Sequence, residues 1–503
     1  MNEEANPAST NGQDAHPEWL TDMVRVLNDP GYERWRSMVA ATGGCSHPVH
    51  LAGESHVIDA ATGEVLHSYR TADEPSGHLL VACGNRRASV CPACSEVYRA
   101  DTYQLIRAGL SGGKGVPEQV SEHPRVFATL TAPSFGPVHT VRERNGKTLH
   151  CRPRKNAGTC PHGKPVGCPE VHDTGDQLLG QPICPECYDY PGAVLWQAHA
   201  GLLWHRFTLG LRREMAKLAG ISRTSFTQQV RLSFAKVAEY QRRGLVHFHT
   251  VIRLDGPEGP ADRPPVWATT DLLSEAIPLA VRAVHISTPD SAIGTRLLGW
   301  GDQLDVRPIL LSRDLDGLSE EAVAGYIAKY ATKGAEASGT VDHRLSCGTC
   351  GGRGRPSGRG LLVTCARCKG TGLKPGLDLE ALPVTDHARR MIRTCWDLGA
   401  RPEFAGLRLR PWAHMLGFRG HFSSKSRRYS TRLLDLRQAR TDHRAKEARE
   451  RHGLPDPGEE TTLVLAHWRF AGSGHTPGEA VLAEQLRQRI ELARKIAAQR
   501  TAE

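Results

Sequence analysis

The chain has 503 residues, 39% hydrophobic and 23% charged, which excludes wholesale disorder and leaves room for more than one core at ~100–200 residues per domain. No apolar run approaches the ~20 residues that cross a bilayer, and Met1–Glu18 lacks the basic start and apolar stretch of a secretion signal, so a cytoplasmic protein with a partly disordered lead-in over residues 1–40 is expected. The formal charge of +10 is clustered: Arg401–Glu450 holds 13 basic against 5 acidic residues, and His343–Leu377 holds seven Lys and Arg with no acid, the footprint of a polyanion binder.

Residues 41–120 read as an N-terminal module in which Cys83, Cys91 and Cys94, with Cys45, precede a helix over Ser95–Leu110. Ser111-Gly-Gly-Lys-Gly115 breaks that helix, and Arg125-Val-Phe-Ala-Thr-Leu-Thr131 is a strand closed by Pro133. Val141–Pro191, rich in Cys, Gly and Pro and without periodicity, reads as a zinc-held insert. Ala193–Leu218 repeats apolar residues at helical spacing. Ser225–Val237 and Leu245–Leu254 are strand-like runs joined by polar Gln241–Gly244, hence an antiparallel hairpin. Thr269–Val284 is a helix carrying Pro278, and Asp302–Leu311 is a strand. The next helix starts at Ser319 as N-cap, with Glu320 and Glu321 favouring its dipole and Leu318 and Val323 placed as a hydrophobic staple, and it ends near Gly334. Residues 121–335 thus form one domain, 340–375 a zinc module, and 376–503 a basic, mostly helical DNA-binding region ending in an amphipathic helix over Val481–Ala498. The class expected is α+β: an antiparallel sheet with helices, inserted zinc modules and a basic helical C-terminal domain.

Fourteen cysteines in a reducing compartment point to metal ligation rather than disulfides. Cys347-Gly-Thr-Cys350-Gly-Gly-Arg-Gly354 and Cys365-Ala-Arg-Cys368-Lys-Gly-Thr-Gly372 are twin knuckles, similar to the zinc region of DnaJ chaperones, and together supply four thiolates for one Zn²⁺. Cys160, Cys168, Cys184 and Cys187 form a second candidate set, with Cys151, His162 and His172 as substitutes, and Cys45, Cys83, Cys91 and Cys94 a third. All three read as structural zinc. In the basic region Arg408, Arg410, Arg419, Lys425, Arg427 and Arg428 cluster near Trp412, Phe418 and Phe422, a mixture that suits nucleic acid.

Two constellations carry chemistry. In Arg243-Gly-Leu-Val-His-Phe-His249 strand alternation points His247 and His249 the same way, so they can share a divalent ion, although a lone H-x-H is more often two ordinary hydrogen-bonded histidines. Glu239, near the other end of the hairpin turn, is a candidate third ligand; by itself such a glutamate is usually just solvated. In Gly325-Tyr-Ile-Ala-Lys-Tyr-Ala-Thr-Lys333, Tyr326 and Tyr330 share a helix face at i and i+4, with Lys329 and Lys333 beside them. In isolation that is a packed pair of rings. A phenol becomes a nucleophile only when a cation stabilises its phenolate.

The order of a Thr-Leu-Thr strand, an H-x-H strand and Y-x-x-K-Y on a helix resembles the three motifs of HUH endonucleases. The histidine motif, Tyr326–Lys333 and Arg410-Pro-Trp-Ala-His-Met-Leu-Gly-Phe418 further resemble RepSA-type initiators of actinobacterial plasmids and integrative elements, from about Cys45 to about Arg428. The resemblance implies an HUH-type sheet and Mg²⁺ or Mn²⁺ on His247, His249 and a further polar ligand, for which Glu239 has the spacing of some relatives. It also implies that Tyr330 attacks a DNA phosphate to leave a 5′-phosphotyrosine and a free 3′-OH. Single-tyrosine relatives keep the residue at Tyr330 and often carry glutamate where Tyr326 stands. The implied partners are plasmid or element origin DNA with a host helicase and polymerase, since no G-x-x-x-x-G-K-[ST] motif occurs. The competing readings are a conjugative relaxase using the same chemistry, and a non-catalytic zinc protein that binds nucleic acid.

Overall fold

The strands anticipated around Thr129 and on both sides of Gln241 meet in one antiparallel sheet of five, ordered Leu304–Pro308, Arg125–Leu130, Val246–Asp255, Arg231–Tyr240 and Ser423–Lys425. The computed structural model describes residues 17–154, 158–310, 318–355, 363–451, 453 and 462–502. Alternation decides what each face of the sheet does. Val126, Ala128, Leu130, Phe248, Ile252 and Leu254 point to a core that holds Trp196, Trp204 and Phe207 of the long helix Tyr190–Leu218 and Leu273, Ile277 and Ala280 of the helix Thr270–Ala283. The opposite face presents Thr129, Glu239, His247 and His249 to the helix Glu320–Ala331, here called the tyrosine helix.

Several expected elements differ. The run from Ser225 is not strand at its start: Ser222 caps a short helix, Arg223–Gln229, by accepting from the Ser225 N–H, and Phe226 anchors it in the core, so the strand begins at Arg231. Pro278 leaves the helix Thr270–Ala283 unbroken. The expected strand at Asp302–Leu311 is Leu304–Pro308, and Leu311 lies outside the described residues.

The chain divides into two compact units, Arg99–Leu436 and a second made of residues through Tyr98 with those from Arg437. Of the anticipated lead-in, residues 1–16 lie outside the described residues, whereas Glu18–Leu27 and Tyr32–Ala41 are helices. Their Val26, Trp35, Met38 and Val39 bury against Leu482 and Ala483, apolar partners more than 400 residues away that local pattern cannot reveal. In the same unit the strand Thr462–Ser473 pairs antiparallel with Val49–Asp59 in a second sheet. Residues 376–503 are therefore not one helical region. Their first part completes the edge of the five-stranded sheet through Ser423–Lys425, and their last part joins the N-terminal unit.

Candidate active site and metal clusters

The hairpin turn brings the ligands together. Gln241 N–H donates to Leu245 O and Gly244 N–H to Gln241 O, each at 2.9 Å, and Gly244 takes the left-handed φ of +73° that the reversal requires. The resulting register sets Glu239 directly opposite His247, with His249 one pleat further on the same face. Glu239 Oε2 lies 2.9 Å from Nε2 of both histidines, and the two nitrogens are 3.0 Å apart. Bonds of about 2.0–2.1 Å at right angles give an edge of about 2.8–3.0 Å, so the three atoms match one triangular face of an octahedron. The three atoms are therefore placed so that they could hold one metal ion.

The adjoining strand orients this triad. Thr129 stands opposite His249, with its Oγ1 3.0 Å from His249 Nδ1, so an Nδ1–H that donates there leaves the Nε2 lone pair facing the ion position. Phe127 stacks on the same imidazole at 5.9 Å. Burial works against charge on Glu239, but the His247 and His249 hydrogen bonds outweigh it and hold the carboxyl at about 2. Burial lowers His249 despite the opposing Glu239 contact, and so favours the neutral form that ligates metal.

The tyrosine helix starts as its capping residues require, with Ser319 accepting from the Ala322 N–H at 3.2 Å. Val323, Ala324, Ile327, Ala328 and Ala331 form its buried stripe, and Tyr326 and Tyr330 flank it toward His249. Tyr326 Oη is 3.2 Å from His249 Nε2, and the Tyr330 ring lies 5.7 Å from the His249 ring and 4.6 Å from that of Tyr326. Burial raises both phenols, with Tyr330 adding to the rise of Tyr326 and Glu239 to that of Tyr330. Lys333 Nζ sits 4.2 Å over the Tyr330 ring and 3.8 Å from Glu239 Oε1, nearer than Lys329, whose Nζ is 5.6 Å from the same ring.

One pair that sequence reading missed fixes the far end of this helix. Glu320, expected merely to favour the helix dipole, is 5% exposed and bridges to Arg125, itself 2% exposed and donating to Leu110 O at 2.7 Å. Glu320→Ala leaves a buried guanidinium without its counter-charge, with an expected loss of about 3–5 kcal/mol in stability. Denaturant titration at unchanged m-value reads this directly, and a loss of less than about 1 kcal/mol would show that the pair does not anchor the helix.

Thirteen of the fourteen cysteines gather into four groups of Cys or Cys and His whose ligand atoms lie within 4.8 Å of one another and could hold zinc. Bonds of about 2.3 Å to sulfur at tetrahedral angles set thiolates about 3.8 Å apart. In the group Cys45, Cys83, Cys91 and Cys94, Cys45 lies 3.7 Å from both Cys91 and Cys94. In the twin knuckles Cys347, Cys350, Cys365 and Cys368 converge, Cys350 and Cys368 at 3.7 Å, and the final glycines, Gly354 and Gly372, each donate an N–H to a sulfur at 3.3 Å. Part of the loop between the knuckles, residues 356–362, lies outside the described residues. The set inferred for the insert is regrouped: Cys160, Cys184 and Cys187 take His162 as their fourth member, while Cys168 goes with Cys151, His172 and His139. Spacing shows which cysteines share a turn, but the path of the loop decides which pairs meet.

The basic cluster is also redistributed. Arg410 donates to Trp396 O and Gly352 O and lies over the Trp396 ring. Lys425 Nζ reaches three backbone oxygens, those of Ser426, Arg427 and Ser430. Arg419 donates to Gly406 and Leu407, and Arg428 to Glu258. Phe418 and Phe422 are core residues packed on Tyr240, not an aromatic surface. Arg408, Arg419, Arg427 and Arg428 remain exposed. No helix among the described residues is long and apolar enough to cross a membrane.

A metal-sized facial triad on an antiparallel sheet, two tyrosines beside it and four Cys/His clusters are the setting in which comparison with known proteins becomes informative. Residues 31–488 match the RepSA family model, described as replication initiator protein, pSAM2, and the chain belongs to this family of replication initiators. Among curated proteins, a replication initiator protein of Streptomyces ambofaciens is 47% identical over 486 residues, covering 96% of this chain and 95% of the relative. No solved structure matches the chain.

Proposed function

We propose that this replication initiator starts rolling-circle replication by nicking one strand of its origin DNA in an HUH-type site. The observation that carries the reading is the convergence of Glu239, His247, His249 and the Tyr326–Tyr330 pair on one spot. Mg²⁺ or Mn²⁺ bound by the triad supplies a Lewis acid that polarises the scissile phosphate and favours the phenolate. Tyr330 Oη forms the new bond to phosphorus, the P–O3′ bond breaks, the leaving oxygen takes a proton and becomes the free 3′-OH, and the 5′-phosphate stays on the tyrosine. Lys333 and Lys329 place positive charge beside the phenol as it ionises. The Tyr326 ring packs 4.6 Å from that of Tyr330 and helps to position it. The 3′-OH suits a host polymerase, and the lack of a Walker motif leaves strand separation to a host helicase. A relaxase would use the same chemistry, but the named relative is an initiator, which favours replication.

The test is incubation with supercoiled origin DNA and Mg²⁺ or Mn²⁺. A detergent-resistant adduct that yields open-circular DNA after proteolysis is the expected result. Intact supercoils with tight binding would leave only the non-catalytic zinc-protein reading.

Exposed Arg408 and Arg427 are the cations of the basic cluster proposed to touch phosphate. Replacing both with Ala is expected to flatten the slope of log affinity against log salt by about 1.4 on single strands or about 1.8 on duplex. An unchanged slope would move DNA contact elsewhere.

A further inference from the structure

We propose that His139, Cys151, Cys168 and His172 bind a zinc ion of their own, separate from that of the Cys160 group, and that this zinc fastens the insert to the turn joining Glu239 to His247. Segments of the insert joined by single β-bridges meet at this cluster, and its dimensions are those of a tetrahedral ion. His139 Nδ1 and His172 Nε2 are 3.1 Å apart, Cys168 Sγ and His172 Nε2 are 3.5 Å apart, and all four ligand atoms lie within 4.8 Å. Zinc with two imidazoles and two thiolates predicts edges of about 3.3 Å between nitrogens and about 3.5 Å from nitrogen to sulfur.

The supporting contacts are those a metal site uses. Asp176 Oδ2 sits 2.5 Å from His172 Nδ1, which fixes that proton and turns the bare Nε2 inward. The Thr140 N–H donates to Cys151 Sγ at 3.2 Å, favouring the thiolate. Reciprocal backbone bonds between Arg152 and Cys168, at 2.8 and 3.0 Å, hold the two cysteine-bearing segments side by side. Cys151, Cys168 and His172 are buried. No ligand is shared with Cys160, His162, Cys184 and Cys187.

The link to the hairpin runs from both sides of the cluster. The backbone of His139 pairs with Gly180 and Gln181, each bond 2.9 Å long. Gly180, at φ +84°, lies so close to the turn that a Cβ there would fall 2.3 Å from the Arg242 carbonyl carbon. From the turn, the Arg242 guanidinium donates to Thr174 O at 2.6 Å, between the ligand His172 and its partner Asp176. An ion bound here would reinforce these contacts between the insert and Gln241–Gly244. The metal site does not depend on the nicking reading.

Zinc per chain, measured by native mass spectrometry of the full-length protein after equilibration with a competing chelator, tests the proposal. His139→Asn keeps a hydrogen-bonding group near the Nδ1 position but is a poor zinc ligand, and Cys184→Ser disrupts the neighbouring cluster. Each variant should lose one zinc and the double variant two. Full zinc content in His139→Asn overturns the site, and so does a double variant that loses no more than either single one. Should His139→Asn fail to fold, His139→Cys restores a ligand and is expected to fold with wild-type zinc content; a folded His139→Cys protein one zinc short of wild type also overturns it. Amide exchange at Gln241–Gly244 should quicken in His139→Asn and stay unchanged in Cys184→Ser. Equal exchange rates in the two variants would overturn the fastening role.

Discussion

Tyr330→Phe is expected to lower formation of the covalent protein–DNA adduct by at least ~10⁴-fold, the scale on which deletion of a covalent nucleophile acts. The substitution keeps the ring that packs 4.6 Å from Tyr326 and under Lys333, and removes only the oxygen that attacks phosphorus. Folding, zinc content and origin binding should therefore be unchanged. Tyr326→Phe is the necessary companion, because Tyr326 Oη is the phenol oxygen 3.2 Å from His249 Nε2. Tyr326→Phe removes the oxygen beside His249 but leaves that of Tyr330 in place, so it should slow the adduct without abolishing it. Wild-type adduct from Tyr330→Phe together with none from Tyr326→Phe would reverse the two assignments.

Glu239→Gln is expected to weaken Mn²⁺ binding by more than ~100-fold, beyond the 10–100-fold typical of groups that only orient a ligand. The change preserves shape and removes the only negative charge of the triad. His247→Ala and His249→Ala should act in the same direction, each deleting one corner of the 2.9–3.0 Å triangle. In all three variants the adduct should disappear while zinc content stays at the wild-type value, because the triad shares no residue with the four Cys/His groups. A Mn²⁺ titration indistinguishable from wild type would reduce the triad to a hydrogen-bonded cluster, and the catalytic metal would have to be sought elsewhere.

The sequence by itself determined whatever depends on local period or a short spacing. Strand alternation put His247 and His249 on one face, helical spacing put Tyr326 and Tyr330 side by side, Ser319 marked the start of their helix, and the C-x-x-C pairs marked which thiols share a turn. Only the tertiary structure decided which of these local pieces meet. Hairpin register made Glu239 the partner of His247, and sheet order brought Thr129 to His249. The placement of the tyrosine helix brought Tyr326 to His249, Lys333 to Glu239 and Glu320 to Arg125. The folding of the insert divided its cysteines between two clusters and recruited His139, which no C-x-x-C spacing marks. Phe418 and Phe422 look like a DNA-facing pair beside their arginines, yet they fill the core against Tyr240, because burial is set by what packs above a side chain and not by its neighbours in the chain.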